Sequence, residues 1–218
     1  MNNLKKQLVP FELISIGEIP SAVLDSYEDL LPDSYLKGEF IFRNRAFSNG
    51  DFLNGEFKWK EHYLFEQSRI LNKYAGGLKR DFMPISDVIK SFVENLLFKQ
   101  TFASVIPNAD YHVGVHQIRT LCNDKHMGYP APEGIHQDGF DYIAVLSINR
   151  VNLSGGITCL FDIAKEDEIV FEGIMDGGNA LVLDDVNLKH YTSPITPKIP
   201  NLTTYRDVIV ITYETIKN

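Results

Sequence analysis

The chain is 218 residues long with 44% apolar and 23% charged residues, values of a globular protein rather than a fibre or a disordered chain. Its 21 Lys and Arg against 29 Asp and Glu give a net charge of −8, which offers no footprint for a phosphate backbone, so nucleic acid is not an expected partner. Two cysteines, Cys122 and Cys159, stand in neither finger nor C-x-x-C spacing, which excludes a disulfide scaffold and points to a reducing, cytoplasmic setting.

A chain of this length can bury roughly 70% of the surface it exposes when unfolded, enough for one domain without covalent staples. The N-terminal stretch "MNNLKKQLVPFELISIG" is broken by Pro10 and Glu12, so it reads as a first strand and not as a signal peptide. No run approaches the ~20 apolar residues of a membrane span. A helix is expected at Ala22 to Leu31, extended pieces at Phe40 to Arg45 and Phe57 to Tyr63, and a further helix at Tyr63 to Tyr74. From Ser86 to about Phe102, Val88, Ile89, Phe92, Val93, Leu96 and Leu97 recur at intervals of three and four, which predicts an amphipathic helix capped by Ser86 and packed on a sheet.

After Asp110 the pattern changes to short β-branched and aromatic runs separated by Gly, Asn, Asp and Pro. Strands are expected at Tyr111 to Cys122, Tyr142 to Val151, Ile157 to Ile163, Ile169 to Met175, Ala180 to Leu183, Tyr191 to Ile195 and Tyr205 to Tyr213, with a hairpin turn at Ser154, Gly155 and Gly156. The fold class is therefore mainly β with flanking helices: a jelly roll over residues 109–218, with a mixed α/β half, residues 1–108, packed on the barrel.

Of the six histidines, His136 stands out. In "GYPAPEGIHQDGFDYIAVL" it lies two residues before Asp138, and in extended chain that spacing points both side chains the same way. Two arms seldom hold a divalent metal, and His190 in "LKHYTSP" is the best placed third. His, Asp and His are the facial donor set of a non-haem iron(II) site, whereas structural zinc closes four ligands, usually with cysteine. The alternative is a turn shaped by Gln137 and Asp138 with His136 incidental. His112 and His116 have zinc-helix spacing but sit in an alternating strand without the glutamate of H-E-x-x-H, so both read as pocket or sheet residues.

In "TTYRDVIVITY", alternation puts Arg206 on one face with Val208, Val210 and Thr212. A guanidinium buried there without a partner costs on the order of several kcal/mol, so it needs an anion. That anion is either a protein carboxylate such as Asp184 or Asp185, or the carboxylate of a ligand, and the position of Arg206 one strand after His190 favours the ligand.

Four motifs in this order, "PEGIHQDG", "NRVNLSGG", "HYTSP" and "YRDVIVITY", resemble the iron(II)- and 2-oxoglutarate-dependent dioxygenases, and within them the bacterial free amino acid hydroxylases typified by L-isoleucine dioxygenase. The resemblance spans Tyr111 to the C-terminus and is weaker before it. It implies a double-stranded β-helix of the cupin-like kind, with His136, Asp138 and His190 as iron ligands and Arg206 on the distal carboxylate of 2-oxoglutarate. It implies iron(II), 2-oxoglutarate and O2 as cofactors, with ascorbate supportive, and hydroxylation of an unactivated C–H bond with release of succinate and carbon dioxide. A free, aliphatic L-amino acid is the expected substrate. The alternatives are another small biosynthetic metabolite, or a non-catalytic cupin-like module that binds a metal or small acid.

Such a substrate needs a cation for its carboxylate and acceptors for its ammonium. Arg119, in register with Gln117 on a strand expected to line the barrel, is preferred over Arg150 for the first role. Glu133, Asp141 and Tyr142 stand near the metal motif for the second.

Overall fold

The strand sequences carry their own explanation: "TYRDVIVITYET" is almost wholly β-branched and aromatic, and it forms the longest run at the centre of the main sheet. The computed structural model describes residues 9–36, 38, 40–61, 64–66, 77–97 and 102–217. In chain order the elements are β1 (Phe11–Ser15), α1 (Ser21–Asp25), β2 (Arg43–Leu53), β3 (Glu56–Trp59), α2 (Asp87–Leu97), β4 (Tyr111–Cys122), β5 (Tyr142–Val151), β6 (Leu153–Gly155), β7 (Ile157–Asp162), β8 (Glu168–Ile174), β9 (Asn179–Asp184), β10 (Leu188–Thr192), β11 (Ile195–Pro197) and β12 (Thr204–Thr215). The sheet order is β1-β9-β5-β12-β4-β2-β3 in the large sheet, with smaller sheets β10-β7-β8 and β11-β6. Every pairing between these strands is antiparallel. Strands from both halves of the sequence thus share the large sheet.

Leu160 and Leu188 of the small sheet pack with Ile143, Leu181 and Leu183 of the large one, so the two sheets face each other and enclose an apolar core. The opposite face of the large sheet is covered by α1 and α2 through a second core that includes Val23, Ile89, Val93, Leu96, Val113, Val115, Ile209 and Ile211. The fold is the expected double-stranded β-helix, a jelly roll with helices outside. In α2, Ile89, Val93 and Leu96 form the buried stripe, each side chain worth about 1.5–3 kcal/mol of apolar burial, while Ser86 Oγ accepts from Ile89 N at 3.4 Å as the cap. No helix among the described residues is long and apolar enough to cross a membrane.

Three local expectations change. The first helix stops at Asp25, because Tyr27 turns inward to donate its hydroxyl to Val208 O at 2.9 Å, and Asp25, Glu28 and Asp29 oppose the dipole at a helix C-terminus. The extended piece expected at Phe40 to Arg45 begins later and is longer, with β2 running from Arg43 through Ser48, Asn49, Gly50 and Asp51 to Leu53. Gly50 is needed there, since a Cβ would meet the Phe57 ring at 2.4 Å. The turn that follows is Asn54 and Gly55, both at positive φ (52° and 84°), as the tight hairpins that match strand twist require. Gly155 and Gly156, also at positive φ, do not close a hairpin: they bend the chain from β6, paired with β11, into β7, paired with β10. The helix expected at Tyr63 to Tyr74 falls largely outside the described residues, as does His62.

Candidate active site

His190 lies in the middle of β10, and His136 in the loop before β5. The two backbones form an isolated antiparallel bridge, with His136 N to His190 O at 3.1 Å and His190 N to His136 O at 2.8 Å. That bridge brings the rings to 4.3 Å between centroids, and Asp138 closes the group. One donor atom from each of His136, Asp138 and His190 lies within 4.8 Å of the others. Asp138 Oδ1 is 3.6 Å from His136 Nε2, and Asp138 Oδ2 is 3.7 Å from His190 Nε2.

The surroundings set the tautomers. His136 Nδ1–H donates to Gly134 O at 2.8 Å, a carbonyl presented by a residue at φ 83°, which leaves Nε2 as the free lone pair. Asp185, 1% exposed, accepts from the backbone N–H groups of Asp138 (3.3 Å), Gly139 (2.8 Å) and Phe140 (3.2 Å), and its Oδ1 stands 3.5 Å from His190 Nδ1. One buried carboxylate therefore fixes the loop that carries Asp138 and favours a proton on His190 Nδ1.

Burial opposes charge on His136, but the adjacent Asp138 carboxylate outweighs it and, with Gly134 O, raises the imidazole to about 9. Burial likewise opposes charge on Asp138, and His136 and His190 overcome it, holding the carboxyl well below the usual carboxylate range. A raised proton affinity at His136 and a carboxylate that stays ionised at Asp138 both favour a divalent cation at these atoms, bound in exchange for the imidazole proton. Two imidazoles and one carboxylate on one side of the cation fit iron(II) with open positions opposite.

The cluster opens on a cavity of about 120 Å³ whose walls include Arg43, Arg45, His116, Ile118, Thr120, Glu133, Phe140, Val145, Arg206, Val208, Val210 and Thr212. Register explains the wall: Arg43, Thr120 and Arg206 form one cross-strand row, and Phe47, His116 and Val210 another. Arg206 is 3% exposed, and its Nε and Nη2 have no hydrogen-bond partner among the described residues. Burial, then the cation of Arg150, lower its pKa to about 10, so it stays charged at neutral pH. The two protein carboxylates considered for it are elsewhere: Asp185 holds the metal-motif loop, and Asp184 accepts from Val186 N, Asn187 N and the Asn187 side chain.

Arg119 and Gln117 are turned away from the cavity. They occupy the odd positions of β4, whose even positions His116, Ile118 and Thr120 face inward. Arg119 pairs with Asp207 through Nε (2.8 Å) and Nη2 (3.0 Å) and with Glu28 through Nη1 (2.7 Å). Burial alone would lower its pKa; those carboxylates outweigh burial and raise it. Gln117 donates to Ser26 Oγ at 3.0 Å. Both fasten the helical layer to the sheet and cannot reach a ligand in the cavity. Glu133 does line it, whereas Asp141 accepts from Thr215 N and Tyr142 packs edge-on to Tyr111. Arg150 donates to Gly155 O (2.7 Å) and Gly156 O (3.3 Å), securing the bend between β6 and β7. Of the groups on or near this wall, Arg43, Arg45 and the loop clamp Asp185 carried no spacing signal in the sequence.

A family model for the 2OG-Fe dioxygenases matches residues 24–212. Among solved structures, the chain is similar to a bsmA homolog from Methylobium petroleophilum PM1, at 27% identity and TM-score 0.77, over 89% of this chain and 80% of that one. It shares its fold with IDO from Bacillus thuringiensis (19% identity, TM-score 0.71, 95% of each chain). The same holds for the Fe(II)/(alpha)ketoglutarate-dependent dioxygenase TqaL (16% identity, TM-score 0.61, 96% of this chain and 84% of that one). Comparison with curated proteins returned no relative. With a match spanning most of its length and a His-Asp-His cluster beside a buried arginine, the chain belongs to the 2OG-Fe dioxygenase family.

Proposed function

We propose that the protein hydroxylates an unactivated C–H bond of a free, aliphatic L-amino acid, as a member of the amino acid hydroxylase group typified by L-isoleucine dioxygenase. His136, Asp138 and His190 hold iron(II), and Arg206 holds the distal carboxylate of 2-oxoglutarate. The observation that carries this reading is the Arg206 guanidinium, buried and charged, with two nitrogens unpartnered on the wall the cluster shares. A planar fork in that state fits an anion that offers two oxygens side by side, as a carboxylate does. Iron(II) with 2-oxoglutarate supplies oxygen activation, coupling decarboxylation to succinate and carbon dioxide with delivery of one oxygen atom to a C–H bond.

The protein's own part is orientation and exclusion of water. Gly134 O holds the His136 proton on Nδ1, and the Asp185 charge 3.5 Å from His190 Nδ1, a nitrogen with no hydrogen-bond partner among the described residues, favours the same tautomer there, so that both Nε2 lone pairs face Asp138. Ile118, Val145, Val208 and Val210 give the cavity apolar walls suited to an aliphatic chain, and Phe140 covers the loop side. Glu133, on the same wall, offers an acceptor for an ammonium group.

The test is direct. Anaerobically purified protein is incubated with iron(II), ascorbate, 2-oxoglutarate and pooled L-amino acids, then exposed to air, and succinate and products heavier by one oxygen atom are measured. One amino acid should raise succinate above the uncoupled background and yield the heavier product. Succinate formation that no amino acid stimulates would leave the cofactor chemistry standing and reject the substrate.

A further inference from the structure

β2 projects two arginines from one face, two residues apart, and only one is matched. Arg43 has Nε and Nη2 each 2.9 Å from Asp33 Oδ2. Arg45, 8% exposed, donates from Nη2 to His116 Nδ1 at 2.9 Å, and its Nε is buried without a hydrogen-bond partner among the described residues. His116 is no counter-charge: burial and the Arg45 cation hold its pKa well below the usual value, so it is neutral. The guanidinium carbon of Arg45 lies 5.0 Å and 4.7 Å from the ring centroids of Phe65 and Phe82, which hold the group in place without neutralising it.

The cavity wall carries Arg43, Arg45 and Arg206 against Asp138 and Glu133, and among the described residues Arg45 makes no ion pair with either carboxylate. Arg43 is offset by Asp33, and Asp138 belongs to the histidine cluster. Arg206 is committed to the cosubstrate on the reading above. Burial and the nearby cations of Arg43 and Arg80 lower Arg45 to about 9, which still leaves it charged at neutral pH. A buried cation in that company calls for an anion from outside the chain. Arg45 stands apart from Arg206. In the register, Arg45 is opposite Ile118 and Val208, two strands across from β12 and two residues along from the row of Arg206. With strands ~4.8 Å apart and ~3.3 Å per residue, the two backbones are roughly 12 Å apart.

We propose that Arg45 binds the carboxylate of the substrate, which makes the site selective for a carboxylic acid over the corresponding amide or amine. The inference rests on the hydroxylase reading and adds to it the group that recognises substrate.

The test uses protein loaded with manganese(II) and N-oxalylglycine, a non-reacting 2-oxoglutarate analogue, and measures binding by thermal shift and calorimetry. The probes are the individual L-amino acids, their carboxamides, and simple monocarboxylates of three to six carbons. At least one acid should bind the wild type, with its carboxamide weaker by about tenfold to a hundredfold, the span of one charge-assisted contact. Arg45→Gln should lose affinity for that acid by the same factor while still binding N-oxalylglycine, which also reports that the variant is folded; Arg45→Lys should recover part of the loss. Equal binding of acid and carboxamide to the wild type, which needs no variant, would overturn the assignment, as would unchanged acid affinity in Arg45→Gln. If only simple monocarboxylates bind, through Arg45, the inference stands and the amino acid substrate is rejected. If no acid binds a protein that has taken up N-oxalylglycine, the inference is overturned. If N-oxalylglycine does not bind the wild type, the cosubstrate reading falls and takes the inference with it.

Discussion

Replacing Asp185 by Asn removes a charge with almost no change in volume, and so isolates what that charge does. Oδ2 accepts from Gly139 N at 2.8 Å and Phe140 N at 3.2 Å, while Oδ1 takes Asp138 N at 3.3 Å and faces His190 Nδ1 at 3.5 Å. The asparagine carbonyl can serve the first pair, but its NH2 then confronts two donors, Asp138 N–H and His190 Nδ1–H. With hydrogen bonds to a charged group worth about 1.5–3 kcal/mol each, losing one and weakening two should cost about 3–5 kcal/mol of unfolding free energy. His190 can relieve the conflict by moving its proton to Nε2, a tautomer whose lone pair lies on Nδ1, away from Asp138 and His136. Metal affinity should therefore fall about 10- to 100-fold among the molecules that remain folded. Urea unfolding of the metal-free protein gives the first quantity, and manganese(II) titration at a temperature where both proteins are folded gives the second. An Asp185→Asn protein that is less stable yet binds manganese(II) at wild-type affinity would refute the claim that this carboxylate sets the His190 tautomer.

Arg119→Met leaves the Asp207 carboxylate, 0% exposed, without its bidentate partner. Chemical denaturation should show a loss of about 3–5 kcal/mol, with no change in substrate KM, and a raised KM at unaltered stability would return Arg119 to the binding site. Gly114→Ala places a Cβ 2.6 Å from Thr212 Oγ1 and 3.3 Å from the Phe47 ring; about 1–3 kcal/mol should be lost, and Thr212→Ala in the same chain should restore part of it, whereas no recovery would place the clash elsewhere. Because the folded pKa of His116 lies below its unfolded value near 6.5, the unfolded chain binds the extra proton first as pH falls. Stability of the metal-free protein should accordingly drop below pH ~6.5 by up to about 1.4 kcal/mol per pH unit from this group, and His116→Gln should flatten that slope; an identical slope in the variant would remove His116 as its source.

Much of the barrel was readable because its strands unite β-branched composition with turn residues at both ends. β4 and β5 run Tyr111–Cys122 and Tyr142–Val151, the bounds expected from composition. β2 was legible only at its start, Arg43 to Arg45, since Ser48 to Asp51 lack β-branched residues and Gly50 serves to admit the Phe57 ring, which spacing does not reveal. The convergence of His136, Asp138 and His190 was also accessible: the first two are neighbours on the chain, and the third sits on a short strand shortly before the arginine-bearing β12. Arg119 was assigned to the wrong side for a physical reason. Alternation gives β4 two faces, but the helical layer buries the outer one almost as fully as the barrel buries the inner, so neither looks like solvent. Arg45 could not be found by spacing at all. What marks it is the meeting of β2 with His116, Phe65 and Phe82, residues far apart on the chain whose packing strips a guanidinium of water.

Anaerobic equilibrium dialysis against iron(II), with wild type and with His136→Ala, Asp138→Ala and His190→Ala, tests most directly whether these three side chains form one metal centre. One iron per wild-type chain and a loss of at least tenfold in affinity in each folded variant are predicted, from the removal of one donor in three. Iron retained at wild-type affinity after any of the three replacements would contradict the account.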